Sequence, residues 1–439
     1  MSETKKIIFL YIIMAILLAL VGLFQSWNVA LAIFNLCLIS AIMTIGVNIQ
    51  WGYAGIVNFG MMGFTALGGL AAIIISMAPI EETWAIGGKD ILLGSFVFII
   101  FCLFGWVWIK VAELKYSKTV VYLVYALLLS LGAYISRLYL DPAIFAVESY
   151  ESAKTGYLGG LGFPILFSWA VGGLFAALAA YLIGKISLGL RSDYLAIATL
   201  GISEIIIYVM KNEDWLTRGV KNVNGIPRPV PYELDLQKSD WFINLASFFN
   251  QNVIEFSSIA VKLSYAFFFG TVLITIFWLS QKALNSPWGR MMRAIRDNET
   301  AANAMGKDIK FRHLQVFVLG SAVIGIAGAM LTTLDGQFTP ASYQPLRFTF
   351  VVWIMVIVGG SGNNFGSILG GFLIWFLWVE AEPLGLWFIE TITFSLEDGS
   401  PLKIHLMDSA AHMRLMTMGA IMLLVLRFAP KGLIPERKR

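Results

Sequence analysis

Apolar residues gather along this chain into about twelve segments, near 7–24, 29–49, 56–78, 91–109, 119–140, 164–184, 193–210, 259–281, 313–334, 347–361, 365–381 and 412–428. Several are 18–22 residues long, enough at about 1.5 Å per residue to cross roughly 30 Å of hydrocarbon. The pattern predicts an all-α, polytopic integral membrane protein of about 10–12 transmembrane helices. The segments 347–361 and 365–381 are short and glycine-interrupted, and fit either two spans or one re-entrant hairpin. The first segment follows Lys5 and Lys6 without a small-residue cleavage site, and is expected to remain as a helix. Three connecting stretches break the pattern. Residues 211–258, with Pro227, Pro229 and Pro231, and residues 382–411 predict periplasmic loops, and 283–312 predicts a cytoplasmic one.

Composition agrees with this reading. Hydrophobic residues make up 58% and charged residues 13% of the chain, too little polar surface for a soluble enzyme, a disordered protein or a nucleic-acid binder. Cys37 and Cys102 both lie inside apolar runs and suggest neither a disulfide framework nor a metal site. With the N-terminus inside, 19 of the 31 Lys and Arg fall on cytoplasmic stretches, among them Lys110, Lys115, Lys118, the 282–312 set and Arg437 to Arg439. That bias predicts both termini in the cytoplasm.

The cytoplasmic stretch has a pattern of its own. Ser286-Pro287 is a capped helix start. Arg290, Arg293 and Arg296 recur every third residue, and Met291, Met292 and Ile295 supply an apolar side. Glu299 opens a second, Ala-rich helix that Gly306 ends. A short amphipathic pair of this kind fits a membrane-surface helix. It also fits a docking element for a cytoplasmic partner, steered by an Arg row.

Two glycine-rich stretches interrupt the spans. Trp51 to Gly69 and Gly359 to Phe372 each hold Asn-Phe-Gly, at 58–60 and 364–366, with glycines on either side. Broken helices near a solute path would read this way, and so would close packing of intact helices. Asn48, Gln50, Asn58, Asn363 and Asn364 flank the breaks with uncharged donors and acceptors. Glu204 is the main ionisable residue within a span, suited either to a functional role or to pairing with a neighbouring helix. The candidate solute path therefore comprises Asn48, Gly52, Gly55, Asn58, Gly60, Glu204, Gly360 and Asn364. His313, His405 and His412 are scattered, without ligand spacing. Gly184-Lys185 and Gly306-Lys307 are followed by Ile186 and Asp308, so neither completes a phosphate-binding loop. If ATP drives this protein, another chain binds it.

Gly52-Tyr-Ala-Gly55 through Gly69, Leu190-Arg-Ser-Asp-Tyr-Leu-Ala through Glu204, Asn222-Val-Asn-Gly-Ile226 and Ser286 to Gly306 together carry a resemblance. They are similar to the inner-membrane permeases of ATP-binding-cassette importers for branched-chain amino acids, the longer of two paired permease types. Val358-Gly-Gly360 and Ala429-Pro-Lys-Gly-Leu433 extend the match to about residue 433. The resemblance implies a multi-pass transport subunit of the bacterial inner membrane with no bond chemistry and no cofactor of its own. ATP and magnesium would sit on two partner ATPase subunits, beside a second permease and a periplasmic solute-binding protein. It also implies that Gly289, Arg290, Arg293, Arg296, Glu299, Ala301, Ala302 and Gly306 form the coupling loop that seats in the ATPase. Asn58-Phe-Gly-Met stands where the family usually has a Ser-Leu-Gly-His run, and 85–150 looks like a two-helix insertion. Importers of urea and short amides share this architecture. An ion-coupled transporter would need more buried ionisable groups than Glu204, and a passive channel would leave the docking element without a role.

Overall fold

The computed structural model describes residues 3–112, 116–152, 154–394, 396 and 400–436. Lys115 and Arg437, Lys438 and Arg439, which entered the charge count, lie outside them.

Long apolar runs become helices because a backbone in hydrocarbon must satisfy its own polar groups. The order is α1 (Glu3–Phe24), α2 (Trp27–Val47), α3 (Met61–Ser76), α4 (Lys89–Ala112), α5 (Lys118–Ser149), α6 (Ile165–Ser187) and α7 (Ser192–Asn212). After a region of short helices come α8 (Val253–Asn285), α9 (Pro287–Asp297), α10 (Glu299–Ala304) and α11 (Ile309–Asp335). The chain ends in α12 (Pro345–Gly359), α13 (Asn364–Ile392) and α14 (Met413–Phe428). Among the described residues, nine helices are long and apolar enough to cross a membrane, and α3 and α12 are shorter apolar helices. A further pair, Pro401–Asp408 with α14, is bent by 63°.

Glycine decides which helices touch. Gly68 of α3, Gly172 of α6 and Gly325 of α11 meet closely, leaving no room for a Cβ at Gly68 or Gly325 and only a tight fit at Gly172. Small residues are what let membrane helices approach this closely. Gly46 and Gly320 bring α2 against α11 in the same way, and Gly371 brings α13 against Ala41 of α2. By contrast, α4 and α5 pack chiefly on each other, with Gly94 under Leu140 and Gly132 under Phe101. A small cluster of Ile91, Ala143, Val147 and Leu158 ties one end of this hairpin to Trp215.

The two ends of the bundle differ. Ile7, Arg293 and Glu436 line one cavity of about 120 Å³, so the start of α1, the amphipathic pair and the C-terminal tail share one end. At the other end β1 (Val223–Asn224) pairs antiparallel with β2 (Gln337–Phe338).

Two boundaries differ from expectation, while helices α12, of 15 residues, and α13 form an antiparallel pair joined by a short break. Arg347 near the start of α12 lies over Trp378 of α13, far along from the break. Helix α8 starts at Val253, inside the expected loop. Helix α13 continues through Pro383 to Ile392, where a loop was expected from 382. The acids near its middle are paired, as Glu380 accepts from Gln25 Nε2 at 2.7 Å and Glu382 bonds Arg414.

Candidate functional site

Both glycine-rich stretches are true breaks, and they meet. Helix α2 loosens into a π turn over Asn48–Gly52, and the chain leaves the helical conformation from 55 to 60. Gly55 takes φ +73° and Gly360 takes φ +116°, conformations that a side chain resists. Asn48 bridges the breaks: its Oδ1 accepts from the Gly362 nitrogen at 2.7 Å and its Nδ2 donates to Asn364 Oδ1 at 3.0 Å. Tyr53 also donates to Asn364 Oδ1, and Asn364 Nδ2 donates to Gln281 Oε1 of α8 at 2.9 Å. Asn58 donates to Gln50 Oε1 at 2.9 Å and accepts from the Gly60 nitrogen at 2.8 Å, while Trp353 Nε1 donates to its carbonyl.

Helix α7 closes the junction from outside. Phe59 N donates to Thr199 Oγ1 at 3.0 Å, and Gly63 N to Ser203 Oγ at 2.7 Å. Two hydroxyls one turn apart thus satisfy backbone donors around the start of α3. Gly60 has an ordinary negative φ, and its glycine is required by contact: a Cβ there would sit 2.6 Å from the Thr199 carbonyl oxygen.

The amphipathic pair is seated on this junction. Ser286 Oγ caps α9 and Asn298 Oδ1 caps α10. Buried Gly289 lets α9 turn tightly over the end of α8, where a Cβ would strike the Ala283 and Leu284 carbonyls. The expected outward Arg row is corrected here. Only Arg290 of the three is exposed. Arg293 turns toward Glu436 and the Leu284 carbonyl, and Arg296 donates to the Gly52 carbonyl and to Glu436. With Met292 and Ile295 buried beneath α9, a three-residue spacing carries those two guanidiniums around to the inner side. Ala302 is buried as well, whereas Glu299, Ala301 and Gly306 face outward.

Glu204 stands apart from the other solute-path candidates. It is exposed and lines a cavity of about 640 Å³ with Lys211, Gln344, Arg347, Trp378 and Met418. One turn earlier, Gly201 has nothing within 4 Å of where a Cβ would be. Among the described residues, the carboxylate buried within a span is Glu380, which is 2% exposed.

Comparison with known proteins places this architecture. The family described as "Branched-chain amino acid transport system / permease component" matches residues 29–426. The chain belongs to this family. The permease is 28% identical over 322 residues to the high-affinity branched-chain amino acid transport system permease protein LivM of Escherichia coli K12, covering 73% of this chain and 69% of that protein. The Salmonella typhimurium LivM matches at the same identity and coverage. A probable LivM of Methanocaldococcus jannaschii is 27% identical over 268 residues, 60% of this chain and 67% of that one. No solved structure matches the permease.

Within the permease, seven of the eight solute-path candidates therefore fall together. Asn48, Gly52, Gly55, Asn58, Gly60, Gly360 and Asn364 lie in the two breaks: Gly52 and Gly55 meet Arg296 of α9, Asn48 pairs with Asn364, Asn58 with Gln50, and Gly60 and Gly360 meet Thr199 and Ile434. Sequence reasoning did not single out Tyr53, Gln281, Thr199, Ser203 and Glu436 as members. The spacing of Thr199 and Ser203 by four was the available signal, because it puts two hydroxyls on one face of the helix. Glu436 had no signal, since its place depends on how the tail folds back.

Proposed function

We propose that this chain is one of two membrane subunits of an ATP-driven importer for branched-chain amino acids. Its sequence match across 29–426, which takes in both helix breaks and the α9–α10 pair, carries the reading. Two ATPase subunits would bind the exposed side of α9–α10, around Arg290, Glu299 and Ala301, and would hold the ATP and magnesium. A periplasmic binding protein would deliver solute at the β1–β2 end. Bacterial inner membrane, with both termini inside, is the expected setting.

The solute path runs along the Glu204 face. Glu204, Lys211 and Arg347 are charged groups on one outward groove. Charges on a membrane helix face protein or water far more readily than lipid. A second permease would complete the groove, and the junction of the breaks would transmit movement to it. Closure of the ATPases shifts α9, and the helices reorient around the path.

Reconstitution tests this reading. The chain is assembled in vesicles with its companion subunits, and uptake of labelled leucine, urea and acetamide is compared. Leucine uptake that requires ATP and binding protein supports it. Uptake of urea or acetamide without leucine would replace the substrate, and ATP-independent uptake would replace the class.

A further inference from the structure

We infer that Arg296 and Glu436 form a latch that locks the coupling helix α9 to both helix breaks at once, with the C-terminal tail as its fixed half. This rests on the permease reading above and assigns the tail a role in coupling.

Residues 432–436 of the tail are held in place. Leu433 N donates to the Val358 carbonyl at 2.8 Å, and Ile434 N to the Gly359 carbonyl at 2.9 Å. Asn363 Nδ2 donates to the Pro435 carbonyl at 3.1 Å. Gly432, at φ +82°, packs on the backbone of Gly360, and Ile434 is buried. Glu436 is thus a positioned carboxylate, attached to the second break. Its Oε2 accepts from Arg296 Nη2 at 2.8 Å, and its Oε1 lies 3.9 Å from Arg293 Nη1.

The other arm of the same guanidinium reaches the first break. Arg296 Nη1 donates to the Gly52 carbonyl, one of the groups freed where α2 unwinds. The two hydrogen bonds are charge-assisted, and a planar guanidinium can make both together. The Arg296 side chain is 23% exposed and Glu436 25%, so water screens the pair only in part. Displacing α9 without moving the breaks would rupture both bonds. The latch therefore makes movement of α9 and rearrangement of the 52–60 and 360–363 segments one event. The Asn364–Gln281 bond ties the end of α8 to the same junction.

Hydrogen exchange on the purified full chain in nanodiscs tests the contact, and solute carried per ATP in the reconstituted importer tests the consequence. The variants are Glu436→Ala, Glu436→Gln, Arg296→Lys and the double Arg296→Lys/Glu436→Ala. Lysine can reach only one of the two acceptors, and glutamine keeps an acceptor without the charge. Exchange in 287–297 and in 52–60 should rise together in Glu436→Ala and Arg296→Lys, by at least about fivefold, the scale of one such hydrogen bond. Glu436→Gln should fall between, and the double variant should be no worse than the stronger single, as for one shared interaction. In vesicles, solute per ATP should drop by a similar factor while ATP hydrolysis continues. Unchanged exchange at 52–60 in Glu436→Ala overturns the latch. So does faster exchange throughout the bundle with falling yield, because the tail would then be only a structural staple. If the exchange pattern holds but the wild-type importer carries no branched-chain amino acid, the latch stands and the functional reading falls.

Discussion

Asn48 is the residue on which the two helix breaks depend. It is fully buried, and both ends of its amide are engaged across the junction. Asn48→Leu would strand the Gly362 nitrogen and remove a donor from Asn364, and each buried polar group left unpaired costs about 1–3 kcal/mol. We expect a lower melting temperature for Asn48→Leu, with Asn48→Asp retaining more stability because it keeps the acceptor for Gly362. Thermal unfolding of the purified chain measures this. Gly60 gives a second test. Its Cβ position faces a backbone oxygen, which cannot rotate away as a side chain can. Overpacking costs roughly 1–3 kcal/mol even where neighbours can adjust. Gly60→Leu should therefore lower complex yield and uptake together, and Gly60→Ala should do so mildly. Full yield with abolished uptake would instead identify Gly60 as a moving pivot.

Among the elements, α9 differs most from its sequence pattern. A period of three on a helix of 3.6 residues per turn does not hold one face for long. Burial of Met292 and Ile295 then decides which arginines turn inward. Arg290→Glu should weaken retention of the ATPase subunits, in a salt-dependent way, and leave the fold of the chain intact. Arg296→Glu should act differently, setting two carboxylates face to face at Glu436 and loosening the junction before any partner binds. Pull-down against salt, beside hydrogen exchange on the isolated chain, separates the two. The α4–α5 hairpin gives the opposite case, since it is bound to itself and to the rest chiefly at one end. Gly87 lies against the Ala143 carbonyl, so the hairpin's two ends lie close together. Replacing 89–149 with a short flexible linker should leave complex yield and uptake standing. Collapse of yield would mean that the hairpin supports the core.

For the whole molecule, the arrangement of the two ends makes sidedness testable. Asn298, at the start of α10, and Asn224, in β1, are exposed at opposite ends of the bundle. In intact cells a membrane-impermeant maleimide should label Asn224→Cys and miss Asn298→Cys until the cells are permeabilised. The reverse result would invert the orientation drawn from the Lys and Arg bias.

Much was legible from the chain itself. Apolar runs in hydrocarbon have almost no alternative to helix, so the all-α class and most of the spans could be read directly, whereas clustered glycine fitted both a break and close packing of intact helices. The helix cap at Ser286 was equally local, because a cap depends on residues three positions apart, while the Asn298 cap of α10 was found only in the structure. What residues 48–60 and 360–364 do was not local. Whether a buried Asn faces a solute or another Asn depends on which helices Gly68, Gly172 and Gly325 draw together. The same holds for Glu380 and Glu382, whose partners Gln25 and Arg414 are distant or beyond a bend in the chain. Arg296 and Glu436, 140 residues apart, became one contact only when the tail folded back onto Gly360. Local periodicity sets which face of a helix is apolar, and only the packed bundle decides which polar groups that burial brings within hydrogen-bonding reach.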